Sequence, residues 1–252
     1  MGSKSMSSPE FSGPAVQVTF DGLLLDMDGT IIDSTDAVVK HWHAVGKEIG
    51  VDPEVILKKS HGRRSIDMLK VLAPEKANWE YVAHMEGLLP RLHGADAKEI
   101  PGARALLAAL VARAVPWAIV TSGTVPLVSG WLRVLDLPKP EHLITAESVA
   151  NGKPDPSCYV LARERLGLGG QRDGGSAVLV LEDSPAGIRA GKAAGCRVVG
   201  LVTSHTAEQV AAAEPDWIVR DLSSVSVVKV EEKPGGKQVT LEFRSLLTWT
   251  PR

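Results

Sequence analysis

The sequence predicts an α/β protein: a parallel sheet with helices on both faces, an all-helical insertion directly after the first strand, and a C-terminal β-hairpin. The apolar run Gly22-Leu-Leu-Leu ends on Asp26 and reads as a buried parallel strand. The stretch that follows, to about residue 100, carries helical patterns only. From Pro101-Gly102 onward, strands and helices alternate, as in a sheet built from parallel crossovers.

Taken in order, residues 1–14 form a tail outside the fold, disordered or left over from cloning, and the core begins at 15. After the turn at Gly29, Ser34 is placed to cap a helix bearing Val38, Trp42, Val45 and Ile49, which Gly50 terminates. Further helical pieces cover 54–59, 66–72 and 79–92, with no strand between 36 and 99. An apolar face of Ala103, Leu106, Leu107, Leu110 and Val111 predicts a helix, and the strand 117–121 follows. Later strands are expected at 142–145, 177–181, 197–202 and 216–219. The runs 227–230 and 239–243 flank Pro234-Gly235-Gly236 as a hairpin. The glycine-rich patch 167–175 precedes a strand, so it reads as a connection and not as a nucleotide-binding fingerprint. The expected division is a Rossmann-like core, 15–34 and 101–252, with a helical cap, 35–100, over the carboxyl edge of the sheet, where open α/β sheets bind ligands.

Composition narrows the function. With 44% apolar and 23% charged residues and a net charge of −2, the 252-residue chain has no basic field for nucleic acid or an anionic membrane. It contains no run of 18 apolar residues and no secretory pattern at its start. Cys158 and Cys196 have neither metal-site nor disulfide-framework spacing, which fits core thiols in a reducing, cytoplasmic setting. The default expectation is a monomer.

The chemistry concentrates at strand ends. In Asp26-Met-Asp28-Gly-Thr30, residues two apart in an extended chain face one side, so both aspartates can enter the crevice above the sheet. An EF-hand reading fails because its twelfth position would be Ala37. Thr121-Ser122-Gly123 closes a strand with a hydroxyl and backbone N–H groups suited to a phosphate oxygen. Lys153 lies in a loop before a helix whose N-cap is expected at Asp155, with Pro156 at its first position. Glu182-Asp183 ends another strand, where paired acids repel and require a positive counter-charge. In the cap, the loop Ser60-His-Gly-Arg-Arg-Ser65 precedes a helix that Ser65 is placed to cap. His41 and His43 are two apart on a helix and share no face, so they read as structural or solvent-facing and not as a metal pair.

The motifs DMDGT, TSGT, GKPDP and LEDSPAGIRAGKAAG, in this order, resemble the haloacid dehalogenase-like hydrolase superfamily from about Val18 onward. Within it, SHGRRS, IPGA, WAIVTSG, NGKPDP and DLSSVSVVKV are similar to fungal glycerol-3-phosphate and 2-deoxyglucose-6-phosphate phosphatases. The retained Asp28 separates the chain from carbon–halogen cleavage. The resemblance implies a phosphatase acting on a small phosphate ester through an aspartyl phosphate. Asp26 would be the nucleophile and Asp28 the acid/base. Lys153 would neutralise charge, while Thr121, with Thr30, Ser122 and Gly123, would hold the phosphate. Mg²⁺ would sit on Asp26, the Asp28 carbonyl and Asp183, with Glu182 joining directly or through water. His61 and one of Arg63 and Arg64 would contact substrate. A phosphomutase using the same aspartates is the alternative, ahead of a non-catalytic phospholigand-binding protein.

Overall fold

The computed structural model describes residues 9–60, 62–169 and 177–248; His61 and the glycine-rich connection from residue 170 onward lie outside them. The elements run β1 (Glu10–Gly13), β2 (Val16–Phe20), β3 (Gly22–Leu25), β4 (Ile32–Asp33), α1 (Thr35–Ile49), α2 (Pro53–Ser60), α3 (Ser65–Leu72), α4 (Trp79–His93), β5 (Lys98–Glu99), α5 (Ala103–Ala112), β6 (Trp117–Val120), α6 (Val125–Val134), β7 (His142–Ile144), α7 (Ser157–Arg165), β8 (Val178–Glu182), α8 (Pro185–Ala193), β9 (Arg197–Leu201), α9 (Ala207–Ala211), β10 (Trp217–Val219), β11 (Val225–Lys233), β12 (Gly236–Phe243) and β13 (Leu246–Thr248).

The central sheet is parallel, in the order β10-β9-β8-β3-β6-β7. Its middle strands are buried throughout, and successive side chains feed opposite faces. Leu23 and Leu25 join Leu107 and Leu110 of α5 and Val128 and Trp131 of α6 on one face. On the other, Leu24 packs with Tyr159 and Ala162 of α7 and Ile188 of α8. An unbroken apolar strand is therefore what a doubly covered sheet demands. The helices α1–α4 surround an apolar cluster of their own, including Trp42, Val45, Ile56, Leu69 and Val82.

The differences from expectation lie where pairing is non-local. The hairpin of β11 and β12 forms, but β2 extends it to three strands by pairing antiparallel with β12. Residues 10–13, read as tail, pair with β13. Within the supposedly strand-free 36–99 stretch, Lys98–Glu99 pairs with Ile32–Asp33 where the chain leaves and re-enters the sheet region. A two-residue pair has no period for a sequence to display.

The caps also differ. Ser34 and Ser65 sit at helix starts, yet neither hydroxyl caps a helix: Ser34 Oγ donates to Asp28 Oδ1 at 2.6 Å and Ser65 Oγ to Glu86 Oε1 at 2.5 Å. Each hydroxyl donates to a carboxylate in a charge-assisted bond, which turns the side chain away from the helix's first N–H groups. Pro156 precedes α7 instead of opening it, although Asp155 Oδ1 still accepts the Ser157 N–H at 2.9 Å. Ser184 does cap α8, accepting the Gly187 N–H at 3.0 Å.

Candidate active site

Parallel register collects the polar residues. Leu25 lies opposite Ile119 on one side and Leu181 on the other, so the next residues of all three strands emerge together at the carboxyl edge. Asp26, Thr121, Glu182 and Asp183 stand there, and Lys153 reaches in from the loop beyond β7. At Gly29 the backbone is left-handed (φ 87°) and a Cβ would overlap the Asp183 carboxylate, so this turn lies against Asp183 only because residue 29 has no side chain.

Lys153 Nζ donates to Asp26 Oδ1 at 2.5 Å, Glu182 Oε1 at 2.7 Å and the Val120 carbonyl at 3.1 Å. Burial works against its charge, but the Asp26 and Glu182 carboxylates outweigh that and hold its pKa well above the ordinary lysine value. Glu182 has further donors: Tyr159 Oη at 3.1 Å on Oε1, and the Ser184 N–H and hydroxyl at 2.8 and 3.1 Å on Oε2. Its carboxylate is thus committed to positioning Lys153 and the start of α8.

Asp26 and Asp183 differ. Burial first, with the Glu182 and Asp183 charges, pushes the Asp26 carboxyl up against the pull of Lys153. Asp183 is pushed up to about 7, by burial and then by Glu182, although Thr30 Oγ1 donates to it at 3.2 Å and Ser204 Oγ also bonds it. Asp28 is half-buried; burial raises its pKa and the Ser34 hydroxyl only partly opposes this.

Three buried carboxylates, Asp26, Glu182 and Asp183, bring oxygens within 4.8 Å of one another, and Asp26 and Glu182 contact one buried ammonium. The net negative charge and the all-oxygen donor set fit a hard divalent cation.

A cavity of about 100 Å³ opens onto this cluster. Of the residues the sequence singled out, Asp26, Asp28, Arg63, Thr121, Ser122, Gly123 and Asp183 line it. Thr30 stands behind Asp183, and Lys153 and Glu182 behind Asp26. Arg64 does not join them. It is 3% exposed, and its five N–H groups are all spent on the Asp67 carboxylate and three backbone carbonyls. The N–H groups after β6 are less free than expected: Gly123 N donates to Thr121 Oγ1 at 3.0 Å and Thr124 N to Glu86 Oε2 at 2.8 Å.

The helical insertion supplies further wall residues: His41, Trp42 and Ser65, for which the sequence suggested only structural roles, and Glu86 and Leu89, which no motif marks. Burial pushes the Glu86 carboxyl up to about 7 and the His41 imidazole down to about 4. Helical spacing carried a signal for both, since residues 38, 41, 45 and 82, 86, 89 each fall on one buried stripe. His43 is exposed and shares no site with His41.

The model of the haloacid dehalogenase-like hydrolases matches residues 20–195, which span every one of these strand ends. The chain belongs to the haloacid dehalogenase-like hydrolase family. Among relatives of this hydrolase, glycerol-1-phosphate phosphohydrolase 1 of Saccharomyces cerevisiae is 39% identical, over 84% of this chain and 86% of the yeast protein. 2-Deoxyglucose-6-phosphate phosphatase 2 of the same yeast is 38% identical, over 86% and 94%. The crystal structure of a HAD family hydrolase from Deinococcus radiodurans, with bound phosphate and sodium, superposes with a TM-score of 0.58 at 28% identity, covering 81% of this chain and 92% of that one. Among the described residues, no helix of this family member is long and apolar enough to cross a membrane.

Proposed function

We propose that this hydrolase is a Mg²⁺-dependent phosphatase of small sugar or polyol phosphates, acting through an aspartyl phosphate on Asp26. The observation that carries the reading is the Asp26–Lys153–Glu182 ion cluster, whose Asp26 lines a cavity together with Asp183 and Asp28. The phosphatase names of the two yeast relatives support the reaction class.

The ester phosphate enters above Asp26. The Thr121 hydroxyl, its oxygen already occupied by the Gly123 N–H, donates its proton to a phosphate oxygen. Lys153 offsets charge on Asp26 and on the transferring group. An Asp26 oxygen bonds to phosphorus as the bond from phosphorus to the ester oxygen breaks. Asp28, whose raised pKa favours the protonated acid, gives its proton to the departing alkoxide. As a carboxylate it then takes a proton from a water that attacks phosphorus, and the Asp26–phosphorus bond breaks to release inorganic phosphate. The Ser34 hydroxyl keeps Asp28 aimed throughout.

Asp26, Asp183 and the backbone carbonyl of Asp28 would hold Mg²⁺, which when bound offsets the negative charge of the phosphoryl group. Glu182, which also holds Lys153, would join that set directly or through water. The residues of α1 to α4 form the cap, which excludes bulk water and shapes the leaving-group pocket. Phosphate release from a panel of sugar and polyol phosphates tests the proposal. Activity should vanish in EDTA and return with Mg²⁺; turnover unaffected by chelation would overturn it.

A further inference from the structure

Arg64, one of two arginines expected from sequence to include a substrate contact, has its N–H groups spent elsewhere. It comes from the start of α3 in the helical insertion, and its acceptors belong to the core. Nη1 donates to the carbonyls of Ala146 and Val149 at 3.1 and 2.8 Å, and Nη2 to that of Ala150 at 2.9 Å. Nε and Nη2 hold Asp67 at 2.7 and 3.0 Å, completing the fork within the insertion. The indole of Trp79 covers the guanidinium, whose Cζ lies 5.9 Å from the ring centre. The chain continues from Ala150 straight to Lys153. On that path, a Cβ at Gly152 would come within 2.7 Å of Arg64 Nε and 3.0 Å of Asp67 Oδ2, so the guanidinium is the surface on which this backbone rests. Beside it, Ser122 Oγ donates to the Gly62 carbonyl at 3.0 Å, tying the same turn to the end of β6.

We infer that Arg64 is a positioning residue that latches the 62–65 turn of the insertion onto the 146–152 segment of the core, so that docking of the insertion and placement of Lys153 are one event. The neighbouring Arg63, exposed and lining the cavity, is left as the arginine that meets substrate. An undocked insertion leaves the segment before Lys153 without its three side-chain donors, and Lys153 then loses its fixed approach to Asp26. The inference rests on the phosphatase reading for its kinetic consequence but not for its structural one.

Two kinds of measurement test it. In phosphate release from glycerol 3-phosphate and 2-deoxyglucose 6-phosphate, Arg64→Ala should lower kcat about a hundredfold, the cost of a displacement of about 1 Å at the chemistry. Its KM should stay within about threefold, whereas Arg63→Ala should raise KM about tenfold with little change in kcat. Guanidinium ion, far below denaturing concentration, should restore kcat of Arg64→Ala by refilling the slot between Asp67 and the carbonyls; methylammonium should not. Gly152→Ala keeps the arginine but forces it off the backbone, and should reproduce the kcat loss even if Arg64→Ala folds poorly. Independently, hydrogen–deuterium exchange across 146–153 should accelerate at least about tenfold in Gly152→Ala, with β3 and β8 unchanged. Wild-type kcat in both variants, a raised KM alone, or unchanged exchange would overturn the latch. If the wild-type protein releases phosphate from neither ester, the phosphatase reading falls, and the exchange result alone decides the latch.

Discussion

Asp26 and Asp28 stand two residues apart and are set apart by their partners: Asp26 is held by an ammonium, Asp28 by a hydroxyl. An amide at 26 cannot act as the nucleophile, so Asp26→Asn should reduce phosphate release by about a thousandfold or more. Asp28→Asn should lose turnover by about a hundredfold or more while retaining metal affinity, measured by calorimetry, because in the proposed Mg²⁺ site Asp28 contributes its backbone carbonyl and not its side chain. Glu86 gives a prediction about stability. Burial raises its folded pKa to about 7, above the 4.5 of an exposed glutamate. Such a group favours the fold while protonated. That contribution is complete below about pH 4.5 and is lost as pH rises through 7, an effect on the order of 3 kcal/mol. In EDTA, the fall in Tm between pH 5 and pH 8 should therefore be smaller in Glu86→Gln than in the wild-type protein; an unchanged fall would mean that Glu86 ionises freely.

At the scale of elements, helices and strands were legible wherever one side chain pattern met one buried face. β3, β6 and β8 are short, apolar up to a closing acid or hydroxyl, and each is found within a residue of its expected bounds. α1 shows the limit of that reading. Its stripe of Trp42 and Val45 was visible, but Ser34, set at its start, turns to Asp28 across the loop. Ser34→Ala should accordingly cost α1 little and Asp28 much. Tm should fall by only a few degrees, since no cap bond is lost, while kcat falls about tenfold through the loss of aim at Asp28. A large Tm drop with unchanged kcat would return Ser34 to a capping role. Capping motifs assume that the nearest backbone N–H is the best partner, and a carboxylate in reach of the hydroxyl overrides them.

For the molecule as a whole, charge crowding at the sheet edge would link folding to metal on the proposed Mg²⁺ reading. Asp183, raised to about 7, is destabilised as an anion when no cation is present. Mg²⁺ at a hundred times its dissociation constant should then stabilise the fold by about 2.7 kcal/mol, seen as a rise in Tm. Asp183→Asn should raise the Tm of the metal-free protein at pH 8 and abolish the response to Mg²⁺; a variant that still responds would place the ion elsewhere. The sequence by itself determined the parallel core, the helical insertion and the strand-end carboxylates, because apolar period and a polar stop are local properties that any doubly covered sheet imposes. It also required a cation beside the two adjacent acids, and the family resemblance named Lys153 as that cation. Only the tertiary structure decided how donors are shared. Arg64 serves carbonyls 82 to 86 residues away, Glu182 holds a lysine, and the strand at residues 10–13 finds its partner at the other end of the chain. A guanidinium, a carboxylate or a strand edge bonds to whatever packing brings within about 3 Å, and that proximity is a property of the folded whole.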